Sequence, residues 1–121
     1  STKYAGKGGS IVNLSSGAAK YGSPGEYVDY AASKAAIDTL TIGLAREVAE
    51  EGIRVNAVRP GFIDTEIHQS GGEPDRMERV RPLVPMKRVG QAKEVADAIM
   101  WLLSDKASYT TGTILDVSGG R

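Results

Sequence analysis

Short apolar runs rich in β-branched residues alternate along the chain with longer segments whose apolar residues recur at helical spacing. The apolar runs cover residues 10–14, 53–58 and 113–117 and predict three β-strands. Residues 27–51 contain no proline and predict one long helix, and residues 92–104 carry an apolar stripe that predicts a shorter one. The order β-α-β-α-β predicts an α/β fold with parallel strands and right-handed crossovers.

The long helix is apolar around more than one face. Its alanine, leucine, isoleucine and valine residues do not fall on a single stripe, which is typical of a helix covered on two sides. We expect a sheet to cover one side, and the many alanines allow a second subunit to approach the other. Gly52 follows the helix at the position where a left-handed C-terminal residue is needed.

Residues 62–90 follow no regular pattern, because glycines and prolines interrupt any element longer than a turn or two. Irregular connections of this length are uncommon in compact domains unless they form lids or binding loops. Simple disorder is the alternative interpretation of this segment. A binding loop here would be the place where substrate preference is set.

Three parallel strands and two helices make a poor independent domain, because a parallel sheet needs both faces and both edges covered. The first strand has no segment in this sequence to pair with its outer edge. The chain also opens Ser1-Thr2-Lys3, without methionine, and reaches that strand almost at once. We therefore expect residues 1–121 to form a single partial domain, the C-terminal half of a larger fold.

Composition narrows the function classes. Lysine plus arginine and aspartate plus glutamate each number 15, so the net charge is zero, which argues against nucleic acid or an anionic membrane as main partner. The chain has no cysteine and one histidine, His68, which argues against disulfides, thiolate sites and the usual zinc clusters, so we expect no metal. No apolar run approaches the ~20 residues of a membrane span. We expect a cytoplasmic protein.

Candidate chemistry lies where the predicted strands end, because ligands of open parallel sheets bind beyond the carboxyl ends of the strands. Ser15 and Ser16 follow the first strand there. The helix that begins on the same edge carries Tyr30 and Lys34 four positions apart, on one face. A nearby ammonium favours the phenolate form of a tyrosine, which makes a proton donor and acceptor usable near neutral pH. We expect Ser16, Tyr30 and Lys34 to converge on one point, as protonation of a carbonyl oxygen requires.

Four segments in this order resemble the short-chain dehydrogenase/reductase family. Residues 9–16 (GSIVNLSS) are similar to its strand with the catalytic serine, and residues 30–34 (YAASK) match its Tyr-x-x-x-Lys motif. Residues 56–65 (NAVRPGFIDT) are similar to its nicotinamide-side Pro-Gly loop, and Gly112 with residues 116–120 (DVSGG) to its last strand. The resemblance covers nearly the whole chain. It implies the C-terminal half of a Rossmann-like, doubly wound parallel sheet, with the N-terminal dinucleotide-binding half absent.

The resemblance implies a role for each matched residue. Ser16 would hydrogen-bond the substrate oxygen, Tyr30 would exchange a proton with it, and Lys34 would assist Tyr30 and hold the nicotinamide ribose. Ser15 is the less favoured serine, with packing or capping as its expected role. The nicotinamide end of the cofactor would be contacted by Tyr30, Lys34, Pro60, Gly61, Ile63 and Thr65.

The resemblance further implies an NAD(P)-dependent oxidoreductase that transfers a hydride between a nicotinamide cofactor and a carbonyl or secondary alcohol. The choice between NAD and NADP stays open, because the glycine-rich phosphate turn and the selecting residue are not in this sequence. For the same reason we expect residues 1–121 alone to bind a dinucleotide weakly and to show no turnover. The full-length protein is expected to be a homotetramer or homodimer.

Two other functions remain open. A sugar-nucleotide epimerase or dehydratase shares the Tyr-x-x-x-Lys motif, although such chains usually continue into a separate substrate domain. The second alternative is a regulatory or scaffolding relative that has the same fold but does not catalyse a reaction. The intact Ser16, Tyr30 and Lys34 argue against this alternative. Among residues of the irregular segment, candidates to face a polar or anionic substrate are His68, Gln69, Arg76 and Arg79.

Overall fold

A computed structural model of the chain describes residues 8–65 and 76–121. The strands in these two ranges are β1 (Gly9–Leu14), β2 (Ile53–Pro60), β3 (Ile63–Asp64), β4 (Gly90–Gln91) and β5 (Ile114–Val117). The helices are α1 (Ala18–Tyr21), α2 (Val28–Val48), α3 (Arg76–Val80) and α4 (Ala92–Leu103). Single 3₁₀ turns lie at Ala49–Glu51, Arg81–Leu83 and Asp105–Ala107. None of the helices in the described part of the chain is long and apolar enough to cross a membrane.

Strands β1, β2 and β5 form one parallel sheet with β2 in the centre. The register sets Leu14 of β1 opposite Val58 of β2, and Pro60 of β2 opposite Val117 of β5. Strand β2 runs two residues beyond its predicted end because its last residues pair with β5. A parallel sheet with alternating helices is a Rossmann-like arrangement, so the predicted fold class is confirmed.

Helices α2 and α4 cover opposite faces of this sheet. Asn13 of β1 donates a hydrogen bond to Thr41 Oγ1 of α2 at 3.0 Å, whereas Ser10 donates to the Leu102 carbonyl of α4 at 3.2 Å. Successive side chains of a strand point to opposite faces, and Ser10 and Asn13 lie an odd number of positions apart. With a helix on each face, residues 55–58 of β2 are all buried, including the polar Asn56.

The core lies between these two helices and β2. Its largest fully buried apolar side chains are Val55, Val58 and Leu102. Each contributes roughly 1.5–3 kcal/mol through removal of its apolar surface from water. Ala31 and Ala45 are buried on α2, and their small side chains let the helix approach the sheet closely.

The long helix ends as its sequence predicts. The last turn is 3₁₀ at Ala49–Glu51, and Gly52 follows with a φ of 76°, its N–H donating to the Ala49 carbonyl. The side of α2 away from the sheet leaves apolar side chains exposed, among them Val28 and Leu40.

The sequence pattern does not predict helix α1 or the parallel pair β3–β4. Helix α1 has four residues and β3 and β4 have two each, which is too short for any periodicity to show. Within the described residues β1 pairs only with β2, and Ile11 and Leu14 of β1 are exposed.

Candidate active site

A cavity of about 650 Å³ opens at the carboxyl ends of the three sheet strands. One of its walls consists of residues that end or follow these strands or lie in the first turn of α2, and we call it the strand-end wall. Its members are Ser16, Tyr30, Pro60, Gly61 and Ser118. The cavity therefore lies where open parallel sheets bind their ligands.

The two serines after β1 use their hydroxyls differently. Ser15 also lines the cavity, but it is buried, and its Oγ donates to the Lys34 carbonyl of α2 at 3.5 Å. Ser16 lines the cavity, and its Oγ accepts a hydrogen bond from the Ala18 N–H at 3.1 Å, at the start of α1. Because that bond occupies an acceptor site, the Ser16 hydroxyl proton remains available to donate to a bound molecule.

Tyr30 lies in the first turn of α2 and reaches the cavity with a half-exposed side chain. Its ring packs edge-on against Tyr27, with 6.4 Å between the ring centroids. Lys34 lies one turn further along, with its Nζ 5.6 Å from the centroid of the Tyr30 ring. The same Nζ donates to the Leu14 carbonyl at 3.2 Å, which ties α2 to the end of β1.

The structure brings two of the three predicted catalytic side chains directly to one cavity. Ser16 and Tyr30 both line it, whereas Lys34 lies behind Tyr30 and is not among the lining residues. The ammonium is nevertheless on the Tyr30 side of the helix, as the spacing predicts.

The turn after β2 is held tightly against the end of β5. The Gly61 N–H donates to the Val117 carbonyl at 2.9 Å. A Cβ placed on Gly61 would lie 2.9 Å from Ser118 Cβ, closer than two carbon atoms can pack, so this approach requires glycine.

The backbone N–H and C=O of Ile63 point away from β4, the strand with which β3 pairs. It is paired with Gly90 in a parallel register, and the Gly90 N–H donates to the Phe62 carbonyl at 2.8 Å. In this pattern the flanking residues bond to Gly90, so the N–H and C=O of Ile63 itself face the other side of β3. Of the predicted cofactor-loop residues, Pro60, Gly61 and Ile63 line the cavity, and Thr65 is not among the lining residues.

A second wall carries aromatic rings and positive charge, and the sequence pattern does not predict it. We call it the cationic wall, and its members are Lys20, Tyr21, Phe62 and Arg121. The Arg121 Cζ lies 4.9 Å from the Tyr21 ring centroid and 4.8 Å from that of Phe62. These residues come from distant parts of the chain, so no local motif predicts that they meet.

An ion-pair network lies beside the strand-end wall. Arg59 Nε donates to Asp116 Oδ1 at 2.8 Å, and Arg59 also reaches Asp38 Oδ2 of α2 at 3.4 Å. Asp116 lines the cavity, and Arg59 compensates its charge there. The second oxygen of Asp38 is buried without a partner among the described residues.

The residues predicted to face a polar or anionic substrate differ in their position relative to the cavity. Arg76 lines the cavity, whereas Arg79 is exposed and is not among the lining residues. His68 and Gln69 lie outside the described residues. Within residues 8–65 and 76–121, no group of three or more histidine, aspartate or glutamate side chains could hold a metal ion.

Comparison with known proteins identifies relatives along the whole chain. The model of the family described as "Enoyl-(Acyl carrier protein) reductase" matches residues 1–121. The chain is 68% identical over 119 residues to "Uncharacterized oxidoreductase YgfF" of Escherichia coli (strain K12), covering 98% of this chain and 48% of that protein. It is 45% identical over 114 residues to "3-oxoacyl-(acyl-carrier-protein) reductase FabG" of Thermotoga maritima, covering 94% of this chain and 46% of that one.

A solved structure shows the same fold. The promiscuous reductase LugOII, which catalyses keto-reduction at C1 during lugdunomycin biosynthesis, superposes with a TM-score of 0.83 at 35% sequence identity. The match covers 94% of this chain and 44% of LugOII. The chain thus spans about half the length of the relatives it matches.

Proposed function

Because the chain belongs to the short-chain dehydrogenase/reductase family, we propose that this protein is an NAD(P)-dependent oxidoreductase acting on a carbonyl or secondary alcohol. In this proposal residues 1–121 supply the catalytic and substrate-binding half of the dinucleotide fold. The observation that carries the proposal is the presence of the Ser16 and Tyr30 side chains in one cavity with the Pro60 and Gly61 turn. A relative named as a 3-oxoacyl reductase supports the reaction class.

Tyr30 is the proposed proton donor in the direction of reduction. As a hydride reaches the carbonyl carbon, the carbonyl oxygen takes the proton of the Tyr30 hydroxyl, and a phenolate remains. In the direction of oxidation the phenolate takes the proton from the alcohol. Ser16 donates a hydrogen bond to the same oxygen and stabilises the negative charge that develops on it.

Lys34 supports this step from behind the ring. Its ammonium lies near the phenolate that Tyr30 becomes, where Coulomb attraction is favourable. The bond from Lys34 Nζ to the Leu14 carbonyl fixes the charge beside the end of β1. We propose that Lys34 also holds the nicotinamide ribose.

The turn after β2 fits the nicotinamide end of a dinucleotide. Ile63 offers one backbone donor and one acceptor that face away from β4, which matches the donor and acceptor of a carboxamide. Pro60 and Gly61 leave this part of the wall without a long side chain. Bound there, the cofactor would supply or accept the hydride. Thr65, which follows β3, is the proposed partner of the carboxamide or a phosphate.

A homotetramer or homodimer is the proposed assembly. Two helices in the described residues carry exposed apolar side chains that a second copy would bury. On α2 these include Val28 and Leu40, and on α4 they include Met100 and Trp101. A measured mass in solution equal to one chain would contradict this assignment.

The test of the function follows the hydride itself. The full-length protein is incubated with NADH or NADPH deuterated at C4 and with a panel of ketones. We expect one cofactor to be oxidised and the deuterium to appear on the alcohol carbon of the product. If neither cofactor is oxidised with any ketone, and neither NAD nor NADP is reduced with the corresponding alcohols, the proposal is wrong.

A further inference from the structure

The cationic wall holds the guanidinium of Arg121 against two aromatic rings. Arg121 lies between the rings of Tyr21 and Phe62, and both cation–π contacts restrict where its charge can be. No ion pair joins Arg121 to a carboxylate within residues 8–65 and 76–121. Ring contacts of this kind satisfy none of the N–H donors as hydrogen bonds.

A second cation lies beside it. Lys20 Nζ donates to the Arg121 backbone oxygen at 3.0 Å and lies 5.5 Å from the Tyr21 ring centroid. The Tyr21 hydroxyl donates to the same oxygen, which anchors the Arg121 backbone to α1. The position of Arg121 is therefore determined by contacts at both its backbone and its guanidinium.

Among the described side chains that line the cavity, cations outnumber carboxylates. Lys20, Arg76 and Arg121 line it, against the carboxylates Glu26 and Asp116. The charge of Asp116 is already compensated by Arg59 at 2.8 Å. Two of these three cations, Lys20 and Arg121, belong to the cationic wall, so the described side chains favour an anionic group there.

We propose that the cavity binds substrates that carry a carboxylate, and that Arg121, assisted by Lys20, holds this group while the reacting carbon lies at Tyr30 and Ser16. A guanidinium presents paired N–H donors that match the two oxygens of a carboxylate. The substrate class is an oxo acid or the corresponding hydroxy acid. This inference rests on the proposed function, because it names the substrate of the same site.

The test compares each oxo acid with its own methyl ester, which keeps the ketone and removes the charge. A series from 4-oxopentanoate to 7-oxooctanoate varies the distance between the two groups. With wild-type protein we expect at least one acid to have a KM about tenfold or more below that of its ester. Arg121→Gln should raise the KM of that acid about 10- to 100-fold and leave kcat and both constants of the ester within about twofold.

Arg121→Lys keeps the charge and should restore part of the preference for the acid. Arg46→Gln is the matched control, because Arg46 is an exposed arginine in the last turn of α2 and does not line the cavity. An equal loss for acid and ester in Arg121→Gln, as general damage to the fold would give, overturns the inference. Equal KM values for every acid and its ester in the wild type overturn it as well.

Calorimetric titration of the same acids and esters, without turnover, separates this inference from the proposed function. Tighter binding of an acid that disappears in Arg121→Gln upholds the inference even if no ketone is reduced, and in that case only the proposed function fails. Reduction of ketones without any Arg121-dependent preference for the acids leaves the function standing and rejects the carboxylate site.

Discussion

The strand-end wall of the cavity is held by backbone hydrogen bonds, whereas the cationic wall is held by side-chain contacts. Beyond the strands proper, the N–H groups of Ser15, Gly17 and Gly61 donate to carbonyls of the neighbouring strand at 2.8, 2.9 and 2.9 Å. They extend the parallel ladder past the strand ends. Arg121 instead depends on two rings and on hydrogen bonds from Lys20 and the Tyr21 hydroxyl.

The difference indicates which part of the site tolerates change. Reacting groups have to be held within roughly 0.5 Å of their productive positions, and continuous backbone ladders provide that precision. Side chains that select a substrate can be exchanged without disturbing the sheet. The strand-end wall is therefore suited to a fixed reaction, and the cationic wall to substrate preference.

Replacing Tyr30 with phenylalanine is the largest expected perturbation of the strand-end wall. The variant keeps the ring and its contact with Tyr27 but removes the hydroxyl that is proposed to transfer the proton. We expect kcat to fall about 10²- to 10⁴-fold for every ketone that the wild type reduces. Tyr109→Phe is the control, because Tyr109 is fully exposed and does not line the cavity. Undiminished ketone reduction by Tyr30→Phe would reject the proposed proton transfer.

Gly61→Ala tests whether close packing fixes the strand-end wall. The new Cβ would lie 2.9 Å from Ser118 Cβ, so the turn or the end of β5 has to move. Because displacement by about 1 Å can cost ~10²-fold in rate, we expect kcat/KM to fall about 10- to 100-fold.

Gly43→Ala is the matched control for this substitution. Gly43 lies within α2, and a Cβ there meets no atom within 4 Å. Alanine in the middle of a helix should stabilise the protein by about 0.4–1 kcal/mol, because it restricts the unfolded chain. If the melting temperature and kcat/KM respond alike in the two variants, tight packing at Gly61 does not position the site.

Glu94→Gln is the smallest expected perturbation and lies outside both walls. Glu94 caps α4, and the hydrogen bonds from Arg88 and from the Gln91 backbone lower its pKa from an ordinary 4.5 to about 2. The folded protein thus binds this proton more weakly than the unfolded chain. The resulting stabilisation is complete above about pH 4.5 and is lost as the pH falls towards about 2.

Melting curves at about pH 6 and about pH 3 check this effect. Between these two pH values the melting temperature of the wild type should fall further than that of Glu94→Gln. The glutamine amide keeps its hydrogen-bonding capacity but does not titrate. Equal losses would show that Glu94 does not contribute to acid sensitivity. Kinetic constants at neutral pH should stay within about twofold, since Glu94 does not line the cavity.

Much of the strand-end wall follows from the sequence. The three sheet strands and the two long helices have strong periodicity, and ligand binding at strand ends is a rule of topology. Together they predict that Ser16 and Tyr30 meet, and the structure places both on one cavity. The bond from Lys34 to the Leu14 carbonyl depends on the distance between helix and sheet, which the sequence does not specify.

The cationic wall does not follow from the sequence, because it depends on contacts between distant side chains. Tyr21 belongs to a helix of four residues, Phe62 to a turn and Arg121 to the segment after β5. None of these segments has a periodicity or motif that links it to the others. For Thr65 the sequence makes a prediction that the cavity does not reflect. The family resemblance implies that Thr65 contacts the cofactor, but Thr65 is not among the residues that line the cavity.

The ratio of kcat/KM for an oxo acid to that for its methyl ester, measured in Tyr30→Phe, tests most directly whether the two walls act separately. Under the proposed mechanism, loss of the hydroxyl should slow the reaction of both substrates, while the contacts of Arg121 remain. The predicted result is a kcat/KM lowered about 10²-fold or more for both substrates, with their ratio within about twofold of the wild-type value. A ratio that falls to one in this variant would show that Tyr30 takes part in recognising the carboxylate, and would contradict the separation of the two walls.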